Sequence, residues 1–366
     1  MAAPPETAAR VVTCPICLDR FPWDETEPLE YDSREGRYKP VEQTEFSNPD
    51  VLADVRRLWY IRCPNTSDPD SPNHYLPVGY ADYPDPLVIA LIGRPRSGKT
   101  HLVVAMIREL LNGSAGSGLR AKALDVHQNN TFRRDFLDPF EHGTRLAGTR
   151  NDLGTYLQWL VLECGGVKRP LVFFDIAGED YRNQVYNSRS TRFLVNAGAV
   201  LFVEDAAHVL HSAAEQQDLA FDGSLANPLG ANATNEYVQE AKNRLRGGGV
   251  DLPCAVAVTK SDRLRYVSPA DRWLRHDPGG GLSATDLLSE TRDVYALFHG
   301  NRAADMMELY HHFRRCTMHF VSATGGAVSE NTFPAGMRPM RVLAPLLALF
   351  AMAGLPVGPD AGLVGR

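Results

Sequence analysis

Gly93-Arg94-Pro95-Arg96-Ser97-Gly98-Lys99-Thr100 decides the fold, because it has the form G-x-x-x-x-G-K-[ST] of a phosphate-binding loop. An apolar run at 87–92 precedes it and a helical pattern at 101–107 follows, the order of strand, loop and helix that this motif requires. Its glycines let backbone N–H groups surround an anion, and the helix N-terminus adds positive potential. We expect Lys99 to reach the outer phosphates and the Thr100 hydroxyl to bind Mg²⁺. A chance Gly-rich turn is the alternative.

The chain around the loop follows an α/β pattern from Leu87 onward. Helical stretches separate most of the apolar strand candidates, which predicts a mostly parallel sheet with helices on both faces. A Gly-Gly turn within 164–169 predicts one antiparallel pair. Polar segments near 206–250 and 261–312 are interpreted as insertions or elaborated helices. The strand candidates are 87–92, 120–126, 156–163, 170–175, 199–205, 254–259 and 317–322.

A second motif ends the predicted strand at 170–175. Asp175-Ile176-Ala177-Gly178-Glu179 has the form D-x-x-G. A strand-end Asp beside a phosphate loop can hold Mg²⁺ through a water, and the Gly178 N–H is free to meet a γ-phosphate. The motif therefore predicts a site that detects the γ-phosphate. An ordinary strand followed by a turn is the alternative.

Two further motifs follow later strands and point to the base. Thr259-Lys260-Ser261-Asp262 offers a carboxylate that can accept N1–H and the exocyclic amine of guanine, a donor pair that adenine lacks. The Lys260 stem can lie over the base plane. Ser322-Ala323-Thr324 offers the Ala323 N–H to the guanine O6. Each signal is weak alone, but ligands of open α/β sheets bind at the strand ends that both motifs follow.

These four motifs, in this order, resemble the P-loop GTPases of the translation-factor and Ras-like class over about residues 87–355. An N-terminal cysteine motif joined to a D-x-A-G-E switch is similar to bacterial double-GTPase-type proteins. The resemblance implies GTP and Mg²⁺ as ligands. It assigns phosphate binding to Gly93, Arg96, Ser97, Gly98, Lys99 and Thr100, the γ-phosphate switch to Asp175 and Gly178, and guanine recognition to Thr259, Lys260, Asp262, Ser322, Ala323 and Thr324. It also implies a protein effector or regulator.

The resemblance requires a threonine in the first switch that completes the Mg²⁺ shell with Thr100 and Asp175. We select Thr149, with Thr144, Thr155 and Thr131 as alternatives. Glu179 stands where Ras-like proteins carry Gln to orient water. A carboxylate there can accept a proton from water or repel the γ-phosphate, so we expect slow hydrolysis with Lys99, Glu179 and Thr149 as the catalytic set. Arg94 or Arg96 can supply a cation, although a solvated loop arginine is the simpler interpretation.

We expect residues 1–82 to form a separate, proline-rich and loop-rich module before a GTPase-like domain at 83–366. Cys14-Pro15-Ile16-Cys17 is a C-x-x-C knuckle, and Cys63 and His74 follow. This set predicts a structural Zn²⁺ in a zinc-ribbon-like module, with His74 as the uncertain fourth ligand. A redox pair or free thiols are the alternatives, but the βαβ context of a redox pair is absent.

The composition limits the partners and the compartment. The formal charge is −6, and residues 1–82 carry 15 acidic against 8 basic residues, which argues against nucleic-acid binding by the cysteine module. No signal peptide and no membrane-length apolar run is visible, and six cysteines fit a reduced cytoplasm. The apolar stretch 342–355 is interpreted as a core helix, and Cys164, Cys254 and Cys316 as packing residues.

The sequence thus predicts a cytoplasmic GTP-hydrolysing switch with a partner-binding zinc module. An ATP-dependent P-loop NTPase or kinase is one alternative, and a non-catalytic GTP-binding adaptor is another. The sequence leaves open whether the chain forms a homodimer.

Overall fold

The computed structural model describes nine stretches of the chain: 10–41, 48–66, 73–93, 96–116, 118–146, 159–175, 197–209, 251–275 and 283–365. They form a seven-stranded central sheet, a four-stranded antiparallel sheet and a two-stranded ribbon. No helix within these stretches is long and apolar enough to cross a membrane.

The central sheet contains the seven C-terminal strands. They are β7 (Leu87–Gly93), β8 (Arg120–Ala123), β9 (Trp159–Cys164), β10 (Val167–Asp175), β11 (Ala199–Asp205), β12 (Cys254–Thr259) and β13 (Cys316–Phe320). Their order is β13-β12-β11-β7-β10-β9-β8. The five strands from β13 to β10 pair in parallel, and β9 runs antiparallel to both β10 and β8.

Helices cover both faces of this sheet. The nine α-helices among the described residues are α1 (Pro49–Arg56), α2 (Lys99–Leu111), α3 (Val126–Phe132), α4 (Asp138–Glu141), α5 (Ala206–Val209), α6 (Ala270–Leu274), α7 (Ala284–Gly300), α8 (Ala304–His312) and α9 (Ala344–Met352). A π-helical turn, Arg133–Leu137, joins α3 to α4. Alternate strand residues pack against α2 and α9 on one face and against α7 and α8 on the other.

The N-terminal residues build two small sheets. The strands β1 (Val11–Thr13) and β2 (Arg20–Pro22) pair as a ribbon, and β3 (Leu29–Asp32), β4 (Arg37–Pro40), β5 (Trp59–Arg62) and β6 (Tyr75–Pro77) form the four-stranded sheet in the order β4-β3-β5-β6. Their apolar side chains join the core on the α7 and α8 face of the central sheet. The Tyr80 and Trp159 ring centroids, for example, are 6.3 Å apart. The domain boundary between 82 and 83 stays a prediction.

The predicted α/β architecture with a mostly parallel sheet is confirmed, with corrections at particular strands. The strand predicted at 120–126 ends at Ala123, because the Asp125 side chain accepts from the Gln128 N–H and begins α3. The strand predicted at 317–322 is Cys316–Phe320. The Gly-Gly hairpin is present, but β9 makes two antiparallel pairs rather than one. The predicted terminal helix is the buried α9, and the three packing cysteines are buried.

Candidate nucleotide site and metal cluster

The phosphate loop begins where β7 and β11 approach too closely for a side chain. A Cβ on Gly93 would lie 2.3 Å from the Val203 carbonyl oxygen and 3.1 Å from Ser97 Oγ. Gly98 has φ +91° and Arg96 has φ +65°, both in the left-handed region. These conformations turn the chain from β7 into the first turn of α2.

Two side chains of the loop are held in ways that fit anion binding. Lys99, the first residue of α2, donates from Nζ to the Gly93 carbonyl oxygen at 2.9 Å, which places its charge across the loop. Ser97 is 1% exposed, and its Oγ has no hydrogen-bond partner among the described residues. A buried hydroxyl without a partner is costly unless a ligand satisfies it. The loop is therefore suited to a phosphate oxygen.

The strand register brings the other predicted residues to the same edge. Gly93 pairs with Val203, Asp205 pairs with Thr259, and Val258 pairs with Phe320, so these strands end side by side. Asp175 ends β10, which is parallel to β7. Since ligands of open α/β sheets bind at carboxyl strand ends, the phosphate loop and the predicted base-reading residues face one site.

The predicted guanine-reading carboxylate is held by the loop after β13. Asp262 is 5% exposed, and its Oδ1 accepts from Ser322 Oγ at 2.6 Å. Ser322 Oγ in turn accepts from the Gly325 N–H at 2.9 Å. Arg265 Nη2 lies 3.9 Å from the other carboxylate oxygen, Oδ2. The two base-reading motifs thus form one hydrogen-bonded unit, with Ala323 next to the serine.

The other residues of T-K-x-D contact neighbouring loops. Thr259 Oγ1 lies 2.5 Å from the Ser97 carbonyl oxygen and 3.0 Å from that of Glu204, so this hydroxyl joins the strand end to the phosphate loop. Lys260 has φ +56°, and its Nζ pairs with Asp205 Oδ2 at 2.6 Å. Asp205 is 5% exposed, so the ion pair is largely shielded and orients the lysine.

Several predicted residues lie outside the described stretches: Arg94, Pro95, Thr149, Thr155, Gly178 and Glu179. For Asp175 the strand is described but the side chain is not. Among the alternatives to Thr149, Thr131 lies inside α3 and Thr144 forms an antiparallel bridge with Thr332. Thr324 Oγ1 donates to the Gly326 carbonyl oxygen at 3.0 Å.

The four predicted metal ligands converge on one point. The ligand atoms of Cys14, Cys17, Cys63 and His74 all lie within 4.8 Å of one another, and all four residues are buried. Cys17 Sγ and Cys63 Sγ are 3.6 Å apart, and Cys14 Sγ is 3.9 Å from His74 Nδ1. Two thiolates on a tetrahedral Zn²⁺ with bonds near 2.3 Å stand about 3.8 Å apart, so the spacing fits zinc.

The hydrogen bonds to the cysteine sulfurs and the lowered pKa of Cys63 also fit a metal site. The Ile16 N–H donates to Cys14 Sγ and the Asn65 N–H to Cys63 Sγ, each at 3.4 Å, so Cys14-Pro15 and Cys63-Pro64 start equivalent knuckles. Hydrogen bonds from the Cys14 and Cys17 thiols lower the pKa of Cys63 to about 4, against the effect of burial. A thiolate is the form that binds a metal. The repeated Cys-Pro pair is the sequence signal for the second knuckle.

Sequence reasoning missed three groups that contact the nucleotide site. Asp205 was detectable as an acid at a strand end. His101 and the 325–338 loop were not detectable, because their contacts arise only when the chain folds.

Behind the base-reading loop lies a buried network in which Glu290 Oε2 pairs with His319 Nδ1 at 2.8 Å and Arg341 Nη2 at 2.7 Å. Although burial raises it, the pKa of Glu290 is held below its usual range by His319 and Arg341.

One protein-family model matches the part of the chain that contains the phosphate loop. Residues 90–240, fewer than half of the chain, match the family model Double-GTPase 1. This segment contains Gly98 to Thr100 and Asp175 but not Asp262. No curated protein matches the chain.

Among solved structures, the chain is similar to sup35 complexed with GDP, at 11% identity and a TM-score of 0.28. That match covers 69% of this chain and 42% of the sup35 chain, so this chain spans less than half of that protein. A match to the G domain of the T. maritima FeoB iron transporter has 11% identity and a TM-score of 0.24, and covers 65% and 87% of the two chains.

The family match covers the phosphate loop and the D-x-x-G stretch, and the base-reading motifs lie at the same sheet edge. Over residues 90–240 this chain is similar to the Double-GTPase 1 family.

Proposed function

We propose that the protein binds GTP with Mg²⁺ at the carboxyl edge of the central sheet and hydrolyses it to GDP and phosphate as a molecular switch. One observation carries the proposal. The Asp262–Ser322 hydrogen bond of 2.6 Å stands at the same sheet edge as the phosphate loop. Guanine offers this carboxylate two adjacent donors, N1–H and the exocyclic amine, whereas adenine offers its amine without an adjacent N1–H.

The residues divide between the two ends of the nucleotide. Lys99, the orphaned Ser97 hydroxyl and the N-terminus of α2 suit the phosphates. Asp262, Lys260 and the Ala323 N–H suit guanine. Thr100, Asp175 and Thr149 would hold Mg²⁺, which when bound neutralises the charge that develops on the phosphate oxygens.

The reaction places few demands on the protein beyond positioning. Water adds to the γ-phosphorus, the bond to the β-phosphate oxygen breaks, and the water proton leaves with the phosphate or transiently through Glu179. Since Glu179 replaces the usual Gln and its charge opposes that of the γ-phosphate, we expect turnover to be slow. Release of phosphate then removes the contact that holds the Gly178 N–H.

The N-terminal residues complete the proposal as a structural zinc module that binds a partner protein. The support is the Cys₃His cluster and its spacing. A small sheet with four ligands of this kind gains stability from the metal, since the ligands meet only in the folded state. The acidic balance of residues 1–82 favours a protein over a nucleic acid as the partner.

Phosphate release from purified protein tests the activity. Wild type with GTP and Mg²⁺ should release phosphate, whereas Lys99→Ala should not, because the loop loses the cation that crosses it. Lys168→Ala is the matched control: this exposed lysine lies near the start of β10, at the opposite sheet edge, and its loss should change nothing. GTP binding without phosphate release, with or without cell extract, would identify an adaptor instead. Equal competition by ATP would overturn the guanine assignment.

A further inference from the structure

Within the described stretches, β13 is an edge strand of the central sheet, so its outward N–H groups need partners other than a strand. Two side chains of α7 supply them. Thr291 Oγ1 accepts from the Met318 N–H at 3.0 Å, and Glu290 Oε1 accepts from the Phe320 N–H at 3.0 Å. Helix α7 thus takes the place of a strand partner up to the residue where the base-reading loop begins.

Glu290 also binds the segment that follows the base-reading loop. Its Oε1 accepts from Arg341 Nε at 3.2 Å and its Oε2 from Arg341 Nη2 at 2.7 Å. With the His319 Nδ1 and the Phe320 N–H, four donors fill the acceptor sites of this carboxylate. The side chains of Glu290 and Arg341 are 0% and 5% exposed, and the guanidinium lies 5.3 Å from the centroid of the Trp273 ring. The ion pair is therefore fixed in position.

The two segments that Glu290 joins lie on either side of the serine that holds the guanine-reading carboxylate. Ser322 follows, by two residues, the strand residue that Glu290 binds, and Met340 directly precedes Arg341. Ser322 and Met340 exchange backbone hydrogen bonds of 3.0 and 2.8 Å. Ser322 Oγ then donates to Asp262 Oδ1 at 2.6 Å. The position of the serine hydroxyl therefore depends on both of the segments that this carboxylate joins.

We propose that Glu290 and Arg341 are positioning residues for base selection: the buried pair fixes Ser322, and Ser322 fixes the carboxylate of Asp262. The inference rests on the proposed GTP site and deepens its base specificity. A buried ion pair contributes little net stability compared with an apolar pair of similar volume, but its geometry can select one arrangement of the chain. Without the pair, the carboxylate shifts relative to N1–H and the exocyclic amine of guanine, whereas the phosphate loop, at another strand end, keeps its contacts.

Two variants of the full chain break the link between the segments. Glu290→Gln/Arg341→Met removes both charges, so no unpaired charge is left in the core, and the new amide oxygen can still accept from the Phe320 N–H. Arg341→Lys keeps the positive charge but loses the planar fork that binds both carboxylate oxygens. Thr291→Val is the matched control, because it removes the equivalent acceptor for Met318 on the same strand edge and leaves the link intact.

Amide hydrogen exchange without nucleotide measures the link itself. The double variant should speed exchange at Ser322 roughly 10-fold relative to the Val321 amide, which bonds within the sheet. Arg341→Lys should lie between the double variant and wild type. Thr291→Val should speed exchange at Met318 and leave Ser322 at its wild-type rate. An unchanged Ser322 rate in the double variant would overturn the proposal.

Competition of GDP and inosine diphosphate against a fluorescent GDP measures the consequence. Inosine diphosphate carries the same phosphates and N1–H but lacks the exocyclic amine. The preference for GDP over inosine diphosphate should fall roughly 10-fold in the double variant, fall less in Arg341→Lys, and stay at the wild-type value in Thr291→Val. If the double variant does not fold, Arg341→Lys decides, since it retains the charge pair.

Equal weakening of both nucleotides would indicate a merely structural role and overturn the proposal. Faster Ser322 exchange with an unchanged preference would overturn it as well, as would an equal loss of preference in Thr291→Val. Failure of wild type to bind any guanine nucleotide would overturn the proposed function together with its base specificity, whereas the exchange of Ser322 would still report on the link.

Discussion

At the scale of single residues, the guanine assignment depends on how Asp262 is held. Its Oδ1 is engaged by Ser322 Oγ, so the carboxylate cannot rotate freely. A fixed carboxylate accepts from the two neighbouring donors of guanine, and each charge-assisted hydrogen bond contributes about 1.5–3 kcal/mol. Base selection then rests on one side chain whose orientation another loop sets.

Asp262→Asn should therefore weaken GTP and GDP binding about 100-fold or more, because the amide brings a donor against a donor of guanine. The Asn oxygen still accepts from Ser322, so the loop should keep its shape. Xanthine carries a carbonyl where guanine carries its amine, and binding of xanthosine triphosphate should improve. Competition against a fluorescent GDP measures all three nucleotides.

Asp251→Asn is the control for that substitution. Asp251 precedes β12 at the sheet edge opposite Asp262. Its side chain is 70% exposed and pairs with Arg315. Its change should leave every nucleotide affinity at the wild-type value. An unaltered preference for GTP in Asp262→Asn would contradict the assignment of guanine recognition to Asp262.

Asp125 illustrates a buried carboxylate with a different task. Its Oδ1 accepts from Tyr60 Oη at 3.1 Å and from the Gln128 N–H at 3.0 Å, which begins α3 and ties the N-terminal sheet to it. Its Oδ2 has no partner among the described residues. Burial raises the pKa of this carboxyl, although both hydrogen bonds lower it.

A raised pKa means that the folded protein keeps the proton to a higher pH than the unfolded chain, whose carboxyl titrates at about 3.9. The free energy of unfolding therefore falls as pH rises through the folded pKa. Asp125→Asn removes this loss and keeps both accepted bonds, so at pH 7 it should be no less stable than wild type, with the difference shrinking toward pH 4. Asp125→Ala should lose about 1–2 kcal/mol. Urea unfolding from pH 4 to 7.5 measures this, and equal losses in both variants would contradict it.

Residue-scale prediction from sequence works where a motif has a fixed relation to a strand end. Lys99, Asp262 and Ser322 lie where their motifs place them, because a parallel sheet brings its carboxyl ends together whatever the loops do. Asp205 and Glu290 were missed, since their importance arises from the partners Lys260 and Arg341. Those partners lie 55 and 51 residues away, and no spacing in the sequence encodes such contacts.

At the scale of elements, the contact between β7 and β11 limits the start of the phosphate loop. Gly93→Ala would place a methyl group 2.3 Å from the Val203 carbonyl oxygen, which is backbone and cannot rotate away. The strands must separate, at a cost of about 1–3 kcal/mol in unfolding free energy, and nucleotide affinity should fall with them. Thermal unfolding and GDP titration measure both effects.

Gly79→Ala is the matched control, because nothing lies within 4 Å of a Cβ at Gly79 and its φ is not positive. It should be close to neutral in both measurements. A Gly93→Ala variant with wild-type stability and GDP affinity would show that the two strands tolerate a wider spacing.

Elements were predictable from sequence in proportion to their apolar content. The strands β7, β11 and β12 are buried on both faces, and their continuous apolar runs mark them. The edge strand β8 is short and partly polar, so its end was placed wrongly. The 325–338 loop carries no periodicity, since backbone bonds at its two ends and at its tip hold it.

At the scale of the whole molecule, the N-terminal residues share a core with the central sheet. Cys14, Cys17 and Cys63 belong to the same apolar cluster as Val88 and Phe202. The Tyr31 ring stacks on His127 of α3 at 3.8 Å, next to the Tyr60–Asp125 hydrogen bond. The sequence predicted a loop-rich module that needs a staple, but packing against a distant sheet face leaves no local pattern to predict from.

This shared core makes metal removal a test of the whole molecule. Cys63 follows β5 directly and His74 precedes β6 directly, so a metal at the cluster closes the hairpin that presents Tyr60 to Asp125. We expect one zinc per chain by elemental analysis. Cys17→Ser, or a zinc chelator that spares Mg²⁺, should lower the unfolding temperature and change the fluorescence of Trp159, which packs beside Tyr80.

Cys164→Ser supplies the matched control for Cys17→Ser, because Cys164 is equally buried but bonds the Pro356 carbonyl oxygen, far from the cluster. It should retain one zinc per chain and the wild-type response to the chelator.

GDP binding then shows whether the effect of zinc loss extends to the nucleotide site. If the N-terminal sheet supports α3 through Asp125, zinc loss should also weaken GDP binding, whereas an independent module would lose zinc with the nucleotide affinity unchanged. Full zinc content in Cys17→Ser would argue against the cluster as the metal site, because only Cys14, Cys63 and His74 would remain to hold the metal.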